Sequence, residues 1–201
     1  MNIKIEGQKI QLRDWQLKDV PIYEHWRTGW QEWMNYDAPY YKSNDEKLSS
    51  EYKQKLTERI KKQEFSEPRR NLVIADMETN VMIGMVSWYW ESKETNWMCV
   101  GIVIYDEAHW GKGIGYEALG LWCQYLWDSF SEIVRLDLRS WSGNAGMMRL
   151  AEKLGFQLEA TFRKARIVKG KYYDSVGYGV LREEWVELFP GGFGQVSHTQ
   201  G

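Results

Sequence analysis

The chain has 201 residues, 43% hydrophobic and 27% charged, the balance of one soluble globular domain with a single core rather than of a disordered segment. A formal net charge of -2 excludes a nucleic-acid binder that relies on a broad basic field. No apolar run is long enough to cross a bilayer, and residues 1–6 alternate apolar and charged types instead of forming a secretory signal, so no membrane partner is expected and the cytoplasm is the expected location.

Residues 9–15 alternate Ile10 and Leu12 with polar side chains, which predicts an opening strand. Asp19 is placed to cap a helix that carries Pro21 in its first turn and runs to about Arg27. Trp26, Trp30, Trp33 and Tyr36 recur at spacings of three and four and share one face if the helix continues through Gly29. A loop is expected over residues 37–44, then a charged helix over 45–64 with Leu48, Tyr52, Leu56 and Ile60 as its apolar stripe.

Beyond Pro68 the pattern turns to β, with three antiparallel strands over residues 71–76, 81–91 and 96–105. A helix follows over 113–130, a strand over 133–138, and a helix over 144–154 that Gly155 ends. Strands over 156–168 and 172–181, joined at Lys169-Gly170-Lys171, complete an α+β order. The domain is expected to span residues 1–188, and the glycine-rich remainder, 189–201, to be a flexible tail. Cys99 and Cys123 have no CxxC partner and His25, His109 and His198 are scattered, so two buried thiols and no metal are expected.

The sharpest local feature is Trp110-Gly111-Lys112-Gly113-Ile114-Gly115, between a strand and a long helix. Glycines let the backbone turn tightly and aim successive N–H groups at one point, and the helix start adds partial positive charge, which together suit a pyrophosphate. Gly113 stands where a P-loop needs Ser or Thr, and Tyr116 where a dinucleotide fingerprint needs its third glycine, so neither motif fits.

The segment resembles the signature of the GNAT acetyltransferases, Arg/Gln-x-x-Gly-x-Gly/Ala, with Trp110 in the Arg/Gln position and Gly113 and Gly115 matching the glycines. Asn144, Arg149-Leu150, Lys153-Leu154-Gly155-Phe156 and Leu158-Glu159 are similar to the family's later helix and strand. Gly170 to Asp174, with Tyr178-Gly179 and Glu184-Trp185, resembles the ending of the RimJ/RimL-like branch, named for ribosomal-protein acetyltransferases. The resemblance implies a mostly antiparallel sheet flanked by helices, with two central strands splayed to admit the pantetheine arm of acetyl-CoA.

By that resemblance Ile102, Val103 and Ile104 line the arm, with the Ile104 backbone as oxyanion donor; Trp110, Gly111, Lys112, Gly113, Ile114 and Gly115 hold the pyrophosphate, and Asn144 and Arg149 approach from the later helix. Asn144 has a second reading as a helix cap. Trp30, Trp33, Tyr36 and Met147 are candidates for the acceptor wall, though the aromatic rings equally suit core packing. Met147 stands where the branch often carries a Ser, and Arg166 where some members carry a Glu. Acid–base candidates are therefore Glu107 and Tyr172, with Tyr105 and Tyr173 nearby.

The implied reaction is transfer of the acetyl group of acetyl-CoA to a primary amine. A peptide or protein N-terminal amine is the first expectation, because an α-amine with a pKa of about 8 needs little help to lose its proton, whereas a lysine near about 10.4 must be deprotonated at a cost of roughly 4 to 5 kcal/mol at neutral pH. A small-molecule amine is the alternative, and a non-catalytic acetyl-CoA sensor is a third reading. An exposed tryptophan face would also suit a homodimer.

Overall fold

The structure, a computed structural model, describes residues 2–41 and 49–194. One eight-stranded sheet runs in the order β1-β2-β3-β4-β5-β6-β8-β7. Its strands are β1 (Lys4–Glu6), β2 (Ile10–Arg13), β3 (Asn71–Asp76), β4 (Met82–Ser92), β5 (Trp97–Ile104), β6 (Arg135–Trp141), β7 (Gln157–Val168) and β8 (Lys171–Leu181). The helices are α1 (Asp19–Trp26), α2 (Ser50–Lys62), α3 (Ile114–Ser129), α4 (Ala145–Lys153) and α5 (Arg182–Leu188). Every pairing is antiparallel except β5 with β6. This is the α+β architecture that the sequence predicts.

Side chains alternate across a strand, so each strand serves two cores. Met98 and Val100 of β5 join Leu136 and Leu138 of β6 and Leu119, Trp122 and Leu126 of α3 in the larger core. Val103 and Tyr105 point the other way, into a second core with Val20, Tyr23, Trp33, Leu56 and Ile60 from the α1–α2 region. The sheet therefore separates an α3–α4 side from an α1–α2 side.

Several expectations are corrected. Gly29 adopts φ +69° and Gln31 is extended, so α1 stops at Trp26 and Glu32–Asn35 forms a separate 3-10 turn. The four rings from Trp26 to Tyr36 consequently share no helical face: Trp33 is 4% exposed, whereas Trp30 is 65% exposed. Asp19 is no cap but a buried acid, paired with Arg13 at 2.7 Å and accepting from the Gln16 amide. The second helix begins at Ser50 with Ser49 accepting from the Tyr52 amide, not at residue 45; Leu48 lies outside the described residues.

Three further elements went unpredicted. β1 is a three-residue edge strand, too short to show an alternation, and α5 is only two turns long. The third is a docked end to the expected tail. Phe189 and Phe193 pack on Trp185, and Gln124 of α3 accepts through Oε1 from both Trp185 Nε1 and the Phe193 amide at 2.9 Å.

Candidate active site

Strands β5 and β6 pair only through Met98↔Leu136, Cys99↔Asp137 and Val100↔Leu138. Beyond Val100, β5 stays with β4 as far as Ile104↔Gly84, while β6 follows β8 to Trp141↔Ser175. The two central strands thus part company at Val100. Tyr105 donates its amide to Ile83, and the alternation of an antiparallel ladder then turns the N–H and C=O of Ile102 and Ile104 away from β4, into the gap. Trp110 Nε1 donates to the Ile104 carbonyl at 2.9 Å and so pins that peptide plane.

On the α3 side, the segment after Trp110 is open. Gly111 and Gly113 adopt φ +72° and +84°, left-handed values that strain other residues. A β-carbon on Gly111 would meet nothing, and one on Gly115 would come into contact with the side-chain ends of Leu150 of α4 at 3.4 Å and Ile104 of β5 at 3.6 Å. Gly113 occupies the N-cap position of α3 without a side-chain cap, which leaves the first-turn amides of a 16-residue helix facing outward. The only acid of that turn, Glu117, is drawn away to the Gln8 and Lys9 amides. Lys9 in turn donates Nζ to the Lys112 carbonyl at 2.7 Å. The Lys9 ammonium group therefore lies beside the amides of a helix start, 3.6 Å from where a β-carbon on Gly113 would stand, and Lys112 carries a second positive charge on the same segment. These residues fit the diphosphate of a coenzyme A.

On the α1–α2 side, residues 36–41 cross the mouth of the gap. The Tyr36 ring meets Trp110 edge-on at 5.4 Å, and the Tyr36 carbonyl accepts from Trp141 Nε1 at 3.2 Å and from Asn144 Nδ2 at 3.3 Å. Tyr40 lies against Trp141, Tyr173 packs edge-on to Trp141 at 4.8 Å, and Arg166, directly opposite Tyr173 in the β7–β8 ladder, stacks its guanidinium on Tyr40 at 4.4 Å. Beneath them Tyr105 is enclosed by Trp26, Trp33 and Tyr23, and burial holds its phenol well above the ordinary range. Tyr105 is thus a proton-bearing donor, not a base.

Of the residues singled out from the sequence, Ile102, Val103, Ile104, Trp110, Gly111, Lys112, Gly113, Ile114 and Gly115 come together around the gap and the α3 start. Asn144 caps α4 by accepting from the Met147 amide at 3.0 Å while its amide nitrogen reaches Tyr36. Met147 is half-buried beside the larger core, and Arg149 is exposed on α4. Tyr36 borders the gap, Trp33 is core, and Trp30 stands out in solvent. Glu107 is exposed in the one-turn helix before Trp110. Tyr172 is 63% exposed near the hairpin tip, one residue from Tyr173, which takes the place facing Trp141. Lys9, Tyr40 and Trp141 join the site unannounced. Only Trp141 had a signal within reach, since β6 runs three residues past the expected end at Leu138.

A sheet split at one parallel pair, with a glycine-rich helix start beside the split, defines an acyl-CoA-dependent N-acetyltransferase. The chain belongs to the GNAT acetyltransferases: residues 9–157 match the family model described as an acetyltransferase (GNAT) domain. It is 25% identical over 181 residues, 89% of this chain and 93% of its relative, to the SPbeta prophage-derived uncharacterized N-acetyltransferase YokL of Bacillus subtilis (strain 168). Its fold is similar to that of spermidine N-acetyltransferase from Vibrio cholerae in complex with CoA and spermine, with TM-score 0.67 and 19% identity over 89% of this chain and 98% of the other. A comparable likeness, TM-score 0.65 and 17% identity over 90% and 95%, is to RimL, a ribosomal L7/L12 alpha-N-protein acetyltransferase. Among the described residues no helix is long and apolar enough to cross a membrane, and no three His, Cys, Asp or Glu gather as a metal site.

Proposed function

We propose that the chain transfers the acetyl group of acetyl-CoA directly to the primary amine of a small molecule. The observation that carries the choice of acceptor is the Tyr36 carbonyl, tied to both Trp141 and Asn144. These bonds draw residues 36–41 across the acceptor side of the gap, from Trp110 on one bank to Trp141 on the other. A roof of that kind favours a slender amine over the folded N-terminus of a protein, so the second of the two acceptors read from the sequence is the better supported. The RimJ/RimL-like branch remains the nearest pattern in the sequence, with Met147 and Arg166 as departures.

When bound, acetyl-CoA supplies an activated thioester. The amides of the α3 start, with Lys112 and Lys9, hold its phosphates, and Arg149 and the Asn144 side chain border the same approach. The Ile104 amide, directed into the gap by its place in the β4–β5 ladder, stabilises negative charge on the acetyl oxygen before any substrate arrives, while the Trp110 bond holds the next peptide, that of the Ile104 carbonyl. The Tyr36 ring, at the edge of the gap above the buried rings of Tyr105 and Trp33, shields the attacking nitrogen from water. Glu107 is the acid placed to take a proton at the solvent edge, and Tyr173, rather than Tyr172, is the phenol on the inner face. Cys99 and Cys123 are both buried and unpaired, in keeping with a reducing cytoplasm.

The test is thiol release measured with acetyl-CoA over a panel of small amines and of tripeptides. Turnover on amines at least tenfold above that on peptides is expected. Faster turnover on peptides would reverse the choice of acceptor, and CoA binding with no turnover on any acceptor would leave a sensor.

A further inference from the structure

Glu117 lies one turn into α3, its amide donating to the Gly113 carbonyl at 3.1 Å, so a carboxylate is carried next to the helix start that fits a diphosphate. A negative charge there favours the helix and repels an anionic ligand. Its side chain is engaged elsewhere, however. Oε1 accepts from the Gln8 amide, and both oxygens accept from the Lys9 amide, at 3.2 and 3.1 Å. A β-carbon on Gly7 would collide with the same carboxylate, and the Gly7 amide closes the turn on the Ile10 carbonyl at 2.8 Å. The turn between β1 and β2 is thus shaped to receive Glu117.

Lys9 is the residue that this contact places. Its amide is held by Glu117 of α3, its carbonyl accepts from the Met77 amide at 3.0 Å, and its ammonium group donates to the Lys112 carbonyl at 2.7 Å. Three ties from three parts of the chain set Nζ 3.6 Å from where a β-carbon on Gly113 would stand. β1, with three residues at the sheet edge, is too short to hold the turn alone. Bonds from amides to an ionised acceptor are the stronger kind, and an ammonium group anchored in advance meets an anion without first giving up the rotamer freedom of a loose lysine.

We propose that Glu117 is a positioning residue for the acyl donor: held in the β1–β2 turn, it fixes Lys9 beside the α3 start and so strengthens CoA binding by more than its own charge weakens it. The inference rests on the reading that the α3 start seats the diphosphate of acetyl-CoA.

The two effects of Glu117 oppose each other, and Lys9 separates them. CoA is titrated calorimetrically at low ionic strength into the whole chain, Glu117→Ala, Lys9→Ala and the double variant. Glu117→Ala is expected to weaken Kd at least about fivefold although a negative charge has been removed. In the Lys9→Ala background the same substitution is expected to weaken it no further, because only the repulsion is left to remove. Glu117→Gln keeps Oε1 as an acceptor for both amides and is expected to return Kd to within about twofold of the wild type. In steady state the Glu117→Ala loss appears in KM for acetyl-CoA and not in kcat. Unchanged or tighter CoA binding in Glu117→Ala overturns the inference, as does an equal loss with and without Lys9, which would assign the effect to the helix start itself. Gly113→Glu tells the two readings apart. If it abolishes CoA binding while Glu117→Ala leaves Kd unchanged, the seat stands and the inference falls; if neither substitution weakens binding, both fall.

Discussion

Trp110 Nε1 donates to the Ile104 carbonyl at 2.9 Å, and this bond joins the glycine-rich segment before α3 to the strand residue whose amide faces the gap between β5 and β6. The same indole meets Tyr36 edge-on, so one side chain touches the cofactor bank, the strand and the roof of the acceptor side. GNAT members often carry Arg or Gln at this position. Here an aromatic donor takes it, and its contacts are to the protein itself.

Trp110→Phe retains the ring and deletes the donor. The orphaned carbonyl costs about 1 kcal/mol of stability, and loss of a fixed Ile104 peptide is expected to lower kcat about tenfold. CoA affinity, measured by calorimetry, is expected to change much less than kcat. Equal losses in affinity and kcat would show that the bond serves the diphosphate segment and not the strand.

The α3 start is tested from two sides. Gly113→Glu forces a side chain into φ +84° and sets a negative charge among outward-facing amides, so CoA affinity is expected to fall more than a hundredfold while far-ultraviolet circular dichroism stays close to the wild type. Lys9→Ala removes one flanking ammonium group. Its expected effect is a severalfold weaker CoA affinity at low ionic strength that shrinks as salt is added. A Lys9→Ala protein with wild-type affinity at every salt concentration would leave Lys9 as a structural tie to Lys112 alone.

Lys9 also shows where sequence reading stops. Periodicity gave α3, the three middle strands and the late β–α–β–β run, because each repeats an apolar pattern over several turns or residues. The diphosphate segment was legible for a different reason, since left-handed backbone demands glycine and glycine leaves a mark in the sequence. Nothing local marks Lys9, which reaches Lys112 from more than a hundred positions away, or Tyr40 and Trp141, which meet across the gap. The helical face over Trp26 to Tyr36 failed at Gly29, where the spacing of the rings was helical and the backbone was not.

The turn into β4 carries a pH signature. The Asp76 carboxylate accepts from the Thr79 amide at 2.8 Å, from the Thr79 hydroxyl at 2.8 Å and from the Glu78 amide, which together lower its pKa below the ordinary 3.8. A carboxyl whose pKa is depressed by folding contributes stability above its unfolded pKa and loses it as pH falls through the folded value. Asp76→Asn keeps an acceptor oxygen and removes the charge. Its Tm is expected to lie below the wild type at pH 7, with the difference closing once the pH drops below about 4. A Tm difference that persists unchanged into that acid range would assign the effect to hydrogen-bond geometry instead of charge.

The docked end of the chain is tested by a pair of substitutions. A β-carbon on Gly120 of α3 would collide with the Phe193 ring, which is also packed against Tyr116 in the first turn of α3. In an isolated helix Gly→Ala adds about 1 kcal/mol of stability, whereas overpacking against a ring removes about 1 to 3. With Phe193 in place the collision wins, so Gly120→Ala is expected to lower Tm. In a Phe193→Ala background the collision is gone and the helix preference remains, so the same substitution is expected to raise it. That reversal, followed by thermal unfolding of the four proteins of the cycle, reads the contact between Gly120 and Phe193 directly. Additive effects would mean that Phe193 does not rest on α3 in solution, and the first turn of that helix would then lack the packing that Phe193 gives Tyr116.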